Sequence, residues 1–196
     1  MITMSKKELR NCIRSRYEGD DEKVRQSELL CQAILSSEEY RTAKTIAGYM
    51  PMVREADIHQ ILIDALGQGK ILVLPLCGEA PDMTLRRITS MSDLRSGSYG
   101  ISEPSDDAPE VNPADVDLFL VPLEGIDHEG RRLGKGGGYY DRMLMGVSGV
   151  TMGCALSWQW MDNVPTESWD VRLNACADQQ GIHYFDKHED RKDLCR

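Results

Sequence analysis

The sequence predicts an α/β fold: a single domain over residues 1–196 on a mostly parallel sheet, with helices on both faces and the ligand site at the carboxyl edge of the strands. Three observations predict it. The runs "ILVL" (71–74) and "LFLV" (118–121) are apolar at every position, as interior strands covered on both faces must be. Amphipathic helical segments alternate with these runs, which is the α/β pattern. Three interior strands also run into a proline and then a polar segment: "MPMVREAD", "PLCGEAPD" and "PLEGIDHEGRRLGKGGGYYD". Parallel strands gather such segments at one edge, where open α/β sheets bind ligands.

In chain order, residues 5–17 place Leu9, Ile13 and Tyr17 on one helical stripe beside Lys6, Lys7 and Arg10. "EGDDE" reads as a turn, and a second helix is expected from Lys23 to Glu39 with Leu30, Cys31, Ile34 and Leu35 on one side. "TIAGYM" (45–50) reads as a buried strand stopped by Pro51. Asp57–Gly67 has the clearest helical period, with Ile58, Ile61, Leu62, Ala65 and Leu66 on one face and Asp57 as its cap. After the 71–74 strand, "DMTLRRI" (82–88) alternates as a more exposed strand does. "EPSDDAPEVNPAD" (103–115) reads as a surface loop. A strand follows the 118–121 run at Val150–Leu156, and the last 10 to 15 residues or so read as a mobile tail.

At 196 residues, 41% hydrophobic and 28% charged, the chain has the balance of an ordinary globular domain. A formal charge of -9 argues against nucleic acid as a partner, which needs a basic face. The polar start "MITMSKKELR" and the lack of any apolar run near the roughly 18–20 residues of a membrane span predict a cytoplasmic protein without a membrane partner. The six cysteines are scattered without CxxC spacing, so free thiols are expected. His59, His128, His183 and His188 show no metal-binding spacing.

One stretch breaks the acidic pattern. "RRLGKGGGYYDR" (131–142) holds four basic side chains against one carboxylate. Gly134, Gly136, Gly137 and Gly138 free the backbone to point successive N–H groups at one anion. Lys135 adds a mobile point charge, Arg131 or Arg132 a forked donor, and "YYDRMLM" a helix start facing the same place. Polyphosphate is the natural ligand class. The stretch is neither a Walker A sequence nor a dinucleotide-binding GxGxxG, since no GK[ST] occurs and polar "DHEGRR" precedes it. Asp141 suits Mg²⁺ beside a phosphate, and it reads equally well as a helix-starting aspartate.

This stretch closely resembles the glycine-rich signature of the 5-formyltetrahydrofolate cyclo-ligase family. "KKELR", "YMPMVREADI", "YGISEP", "VPLEGIDHEG" and "VPTESWDVRLN" resemble further blocks of that family in order, over residues 6 to 176. The resemblance implies an ATP- and Mg²⁺-dependent enzyme. It phosphorylates the formyl oxygen of 5-formyltetrahydrofolate, N10 attacks, and 5,10-methenyltetrahydrofolate, ADP and phosphate result. It further implies that Lys6, Arg10 and the stretch Arg132, Leu133, Gly134, Lys135, Gly136, Gly137, Gly138, Tyr139 and Tyr140 bind ATP. Lys135, Arg132 and Tyr140 then carry catalysis, Arg132 because one arginine directly precedes LG in the signature. Glu55, Tyr99, Gly137 and Tyr139 fall to the folate, and Asp141 and Asp170 to the metal. A monomer is expected.

Each assignment has a plainer counterpart: a solvated helix face for Lys6 and Arg10, a helix cap for Glu55, a loop acid for Asp170. Met50, Met52, Met83, Trp158 and Trp160 suit either a pterin pocket or the core. Ile126 and Leu85 stand where the family is expected to place an aromatic, which bears on substrate preference. Two other functions fit the same sequence: a non-catalytic nucleotide- or folate-binding protein, and an ATP-dependent enzyme acting on another formyl or carboxylate substrate.

Overall fold

The computed structural model describes residues 4–78, 83–97 and 100–185. Thirteen strands and five α-helices occur among them. Helices α1 (Lys6–Ser15), α2 (Asp20–Ser36) and α3 (Glu38–Thr42) lead into β1 (Thr45–Ala47), α4 (His59–Gly67), β2 (Ile71–Cys77) and β3 (Met83–Ile88). Short strands β4 (Leu94–Ser96), β5 (Ser102–Pro104) and β6 (Glu110–Val111) precede β7 (Leu118–Val121). Then come β8 (Gly125–Asp127), β9 (Arg132–Leu133), α5 (Tyr139–Leu144), β10 (Val150–Cys154), β11 (Trp160–Met161), β12 (Ala175–Asp178) and β13 (Gly181–Tyr184).

The main sheet has eight strands in the order β13-β12-β10-β7-β1-β2-β3-β6. The five from β12 to β2 are parallel, and antiparallel β13, β3 and β6 flank them. Two smaller sheets, β11-β8-β9 and β4-β5, accompany it. Side chains alternate across the main sheet. Ile46, Leu72, Leu74, Leu118, Leu120, Met152 and Ala175 join the core under α1, α2 and α4. Ala47, Val73, Phe119, Val121 and Cys176 join the opposite core, which α5 closes with Leu144 and the small sheet with Ile126 and Trp160. The continuous apolar runs of β2 and β7 follow from this two-sided burial.

Several boundaries differ from expectation. The second helix starts earlier, at Asp20, where Asp20, Asp21 and Glu22 of the expected turn oppose the positive end of the helix. It ends at Ser36, because the Ser37 hydroxyl accepts from the Tyr40 N–H and starts α3 instead. The helix expected from Asp57 begins at His59; Asp57 still serves it, accepting from the His59 N–H at 2.9 Å. β2 runs through Pro75 because β1 pairs with it only as far as Val73, which leaves no neighbour needing the missing N–H there.

The expected loop at 103–115 contains the end of β5 and an edge strand, β6, against β3. "DHEGRR" is not strand-free: β8 and β9 form an antiparallel hairpin around it, its polar residues consumed by internal bonds. Cys12, Cys31, Cys77, Cys154 and Cys176 are free thiols. The expected tail falls mostly on 186–196, outside the described residues, while Gly181–Tyr184 before it forms β13. No helix among the described residues is long and apolar enough to cross a membrane.

Candidate functional site

The parallel strands, numbered along the chain, lie in the order 2-1-3-4-5, so the order reverses between β1 and β7. Loops leaving the carboxyl ends of two such strands diverge there and open a crevice. A cavity of about 550 Å³ occupies this place. The β1–α4 loop contributes Tyr49, Met52 and Glu55, the end of β2 Pro75 and Cys77, and the segment after β7 Pro122 and Leu123. Residues Arg132–Asp141 form another wall, and Lys6, Arg10 and Asp170 close the side. Every described residue assigned to the site from the sequence therefore lines this one cavity. Tyr99 lies outside the described residues.

Local sequence explains the placement of each group. A Ser5–Glu8 capping box fixes the start of α1, the Ser5 N–H donating to Glu8 Oε2 at 2.8 Å. With Leu9 and Ile13 buried, Lys6 and Arg10 share the adjoining face one turn apart. The Arg10 Nε–H donates to the Gly134 carbonyl at 2.8 Å, which ties α1 to the glycine-rich loop. In that loop Gly136 and Gly138 adopt φ of 108° and 66°, a region closed to most other residues. Gly138 is the N-cap of α5.

Asp127 aims the loop. Its fully buried carboxylate accepts from Arg131 Nε–H at 2.7 Å, the Arg131 and Glu129 backbone N–H groups, and the Val164 N–H at 2.8 Å. This fastens the β8–β9 hairpin to the segment before Asp170. The same bonds separate the two arginines. Arg131 is spent on Asp127 and Glu129, whereas Arg132 lines the cavity.

Lys6, Arg132 and Lys135 each pair with a carboxylate on the cavity. The Arg132 side chain, 4% exposed, bonds Asp141 at 3.0 Å, stacks over the Tyr140 ring and keeps an Nε–H without a partner among the described residues. Asp141 also accepts from the Val171 N–H at 3.3 Å, next to Asp170. Lys135 Nζ lies 2.6 Å from Glu55 Oε1 and touches Met52 Sδ. Lys6 Nζ lies 2.6 Å from Asp170 and 3.1 Å from Glu167. Burial pushes the Tyr140 phenol far up, and the negative charge of Glu55 adds to this, so the hydroxyl stays a donor at neutral pH.

Burial pulls the Lys6 ammonium down, but its bonds to Asp170 and Glu167 outweigh this and leave its pKa raised. A raised lysine adds stability that is fully present below its unfolded value of 10.5 and fades as pH climbs through the higher folded value. Lys6→Met should therefore be less stable than the parent at neutral pH. Denaturation midpoints across alkaline pH should show the gap closing above that value; a constant gap would contradict the pairing.

Sequence reasoning missed part of the wall. Tyr49, Ile101, Glu103, Pro122 and Glu167 line the cavity from blocks of the resemblance in which no role fell to them, and Cys77 lines it from outside those blocks. Position after a strand end was the available signal for Tyr49, Cys77 and Pro122. Of the residues with two readings, Met50, Met52 and Met83 face the cavity. Trp158 instead packs on Tyr17 in one core, and half-buried Trp160 stacks on His128 against the other.

Asp141, at the end of the glycine-rich wall, and Asp170, on the adjoining side, offer hard oxygen donors of the kind that suit Mg²⁺ beside a phosphate, and in this structure each is paired with a cation. They do not make a preformed cage. No group of three or more His, Cys, Asp or Glu among the described residues is placed to hold an ion, so an ion at these two carboxylates would need phosphate and water as its other ligands.

The model of the 5-formyltetrahydrofolate cyclo-ligase family matches residues 2–177. The mouse 5-formyltetrahydrofolate cyclo-ligase is 30% identical over 167 residues, covering 79% of this chain and 82% of the mouse protein. The Haemophilus influenzae enzyme of the same name is 33% identical over 148 residues, covering 72% and 79%. The NMR structure of Aquifex aeolicus 5,10-methenyltetrahydrofolate synthetase superposes with a TM-score of 0.83 at 32% identity, over 98% of this chain and 99% of that one.

Proposed function

The chain belongs to the 5-formyltetrahydrofolate cyclo-ligase family, and from that premise we propose that it closes 5-formyltetrahydrofolate to 5,10-methenyltetrahydrofolate at the expense of ATP. The observation that carries this reading is the convergence of the glycine loop, Lys6, Arg10, Arg132 and Lys135 on one cavity at the strand-order reversal. Family membership names the reaction; the cavity supplies a place for its two ligands to meet.

The chemistry asks for little covalent help. A formyl oxygen is a poor leaving group, and phosphorylation makes it a good one. N10 of the folate then attacks the formyl carbon, the C–O bond to phosphate breaks, and inorganic phosphate departs as the ring closes. The protein must align the γ-phosphate with the formyl oxygen and spread the charge of the moving phosphoryl group. In this reading the loop amides of Gly134–Gly138 cradle the phosphates. Arg132 and Lys135 neutralise them, and Lys6 and Arg10 reach them from α1. The Tyr140 hydroxyl, held as a phenol, donates to the reacting oxygens. Glu55 receives N–H groups of the folate ring, with Tyr49 and Met52 beside it. Bound Mg²⁺ would neutralise phosphate charge between Asp141 and Asp170.

The test is direct. Purified protein with ATP, Mg²⁺ and 5-formyltetrahydrofolate should develop the absorbance of the methenyl product, with ADP released in equal amount. Tight binding of both ligands without product would assign a binding protein instead. Asp141→Asn keeps an oxygen for Arg132 but loses the charge. It should raise the Mg²⁺ concentration that supports nucleotide affinity by at least about tenfold. An unchanged Mg²⁺ titration would remove Asp141 from the metal site.

A further inference from the structure

We propose that Glu55 is also a positioning residue that sets nucleotide affinity through Lys135, so that a ligand donating N–H groups to Glu55 strengthens nucleotide binding. The inference rests on reading the cavity as a folate and nucleotide site. What it adds is an energetic link between the two.

Lys135 is the only lysine of the glycine-rich stretch, yet its ammonium group lies across the cavity against the β1–α4 loop, 2.6 Å from Glu55 and against Met52 Sδ. The Glu55 side chain is 7% exposed, and its other oxygen accepts from the Met52 N–H at 2.9 Å. Its carboxylate is therefore anchored, while the 40% exposed lysine is the movable partner. A carboxylate at this distance cancels the charge that a phosphate would otherwise meet, and repels the phosphate itself. Drawing Lys135 to phosphate also deprives a buried carboxylate of its cation, which is costly unless another donor replaces it. Inorganic ions in solution do not offer that replacement in the right place. A ring presenting adjacent N–H donors does, as the reduced pterin of the proposed substrate would. Occupation of Glu55 by such a ring releases Lys135, and linkage makes the effect mutual: nucleotide must tighten the folate by the same factor.

Calorimetric titration of the full chain with a non-hydrolysable ATP analogue and Mg²⁺, with and without 5-formyltetrahydrofolate, tests this. The parent protein should bind the analogue about tenfold more tightly when the folate is present. Glu55→Gln can still accept from the Met52 N–H but no longer neutralises Lys135. It should bind the analogue alone about tenfold more tightly than the parent does, and show no further gain from folate. A purely structural role for Glu55 predicts weaker binding, not stronger.

Unchanged or weakened affinity for the analogue alone in folded Glu55→Gln overturns the proposal, as does coupling that survives the substitution. Should Glu55→Gln fail to fold, Lys135→Met interrupts the link from the other side. It should tighten the folate in the absence of nucleotide and abolish the coupling, and unchanged folate affinity overturns the proposal. Parent protein that binds neither ligand overturns the folate–nucleotide reading itself, which is a distinguishable result.

Discussion

Lys135→Ala is expected to lower turnover by about 10²–10³-fold at saturating ATP and folate, the range for removing a preorganised group that stabilises transition-state charge. The lysine sits on the glycine-rich wall of the cavity and is the one point charge inside the run Gly134–Gly138. Its side chain is 40% exposed but Glu55 is 7% exposed, so the variant strands that carboxylate at a cost of about 1–3 kcal/mol. A folded protein with a modestly lowered urea midpoint and a collapsed kcat is the expected outcome. Single-turnover measurement of ADP formation alongside methenyl product locates the loss: phosphoryl transfer is affected if ADP formation slows with it. A variant with parental kcat would remove Lys135 from the phosphate site and leave the loop's charge unexplained.

Asp127→Ala should do the reverse and unfold the scaffold that aims the loop. Asp127 is fully buried, pairs with Arg131 and receives three backbone N–H groups. Removing one partner of a buried pair costs about 3–5 kcal/mol, because the remaining charge and donors are stranded. Urea denaturation should report a loss of that size, and Asp127→Asn a smaller one, since the amide oxygen still accepts. A loss under about 1 kcal/mol would mean that water replaces the carboxylate and that the β8–β9 hairpin holds without it.

These two residues mark what the sequence made legible. The place of Lys135 on the cavity wall was readable because its chemistry is local: glycines and a cation in succession are suited to an anion, and the structure puts them on the cavity. The parallel core was readable for a similar reason, since β2 and β7 carry their two-sided burial as unbroken apolar runs. Asp127 was opaque. Its partners lie up to 37 positions away at Val164, and the polar letters of "DHEGRR" look like surface until they are seen bonding one another. β12, with the modest sequence "ACAD", becomes a strand only because β10 and β13 pair on either side of it. Tertiary pairing there overrides weak local preference.

The cavity shows the same division. Its location followed from three strands each ending in proline and a polar segment, and β1, β2 and β7 are indeed adjacent and parallel. The choice between Arg131 and Arg132 could not be made from residue chemistry alone. It depends on Asp127 claiming the first, a contact the hairpin creates. The pairing of Lys6, Arg132 and Lys135 with carboxylates was likewise invisible, because Lys6 meets Asp170 across 164 positions and Lys135 meets Glu55 from another loop.

A crystal structure with a non-hydrolysable ATP analogue and Mg²⁺ is the most direct measurement. The triphosphate should lie against the amides of residues 134–138 with Arg132 and Lys135 on its oxygens. Nucleotide bound elsewhere, with that segment bare, would contradict the account.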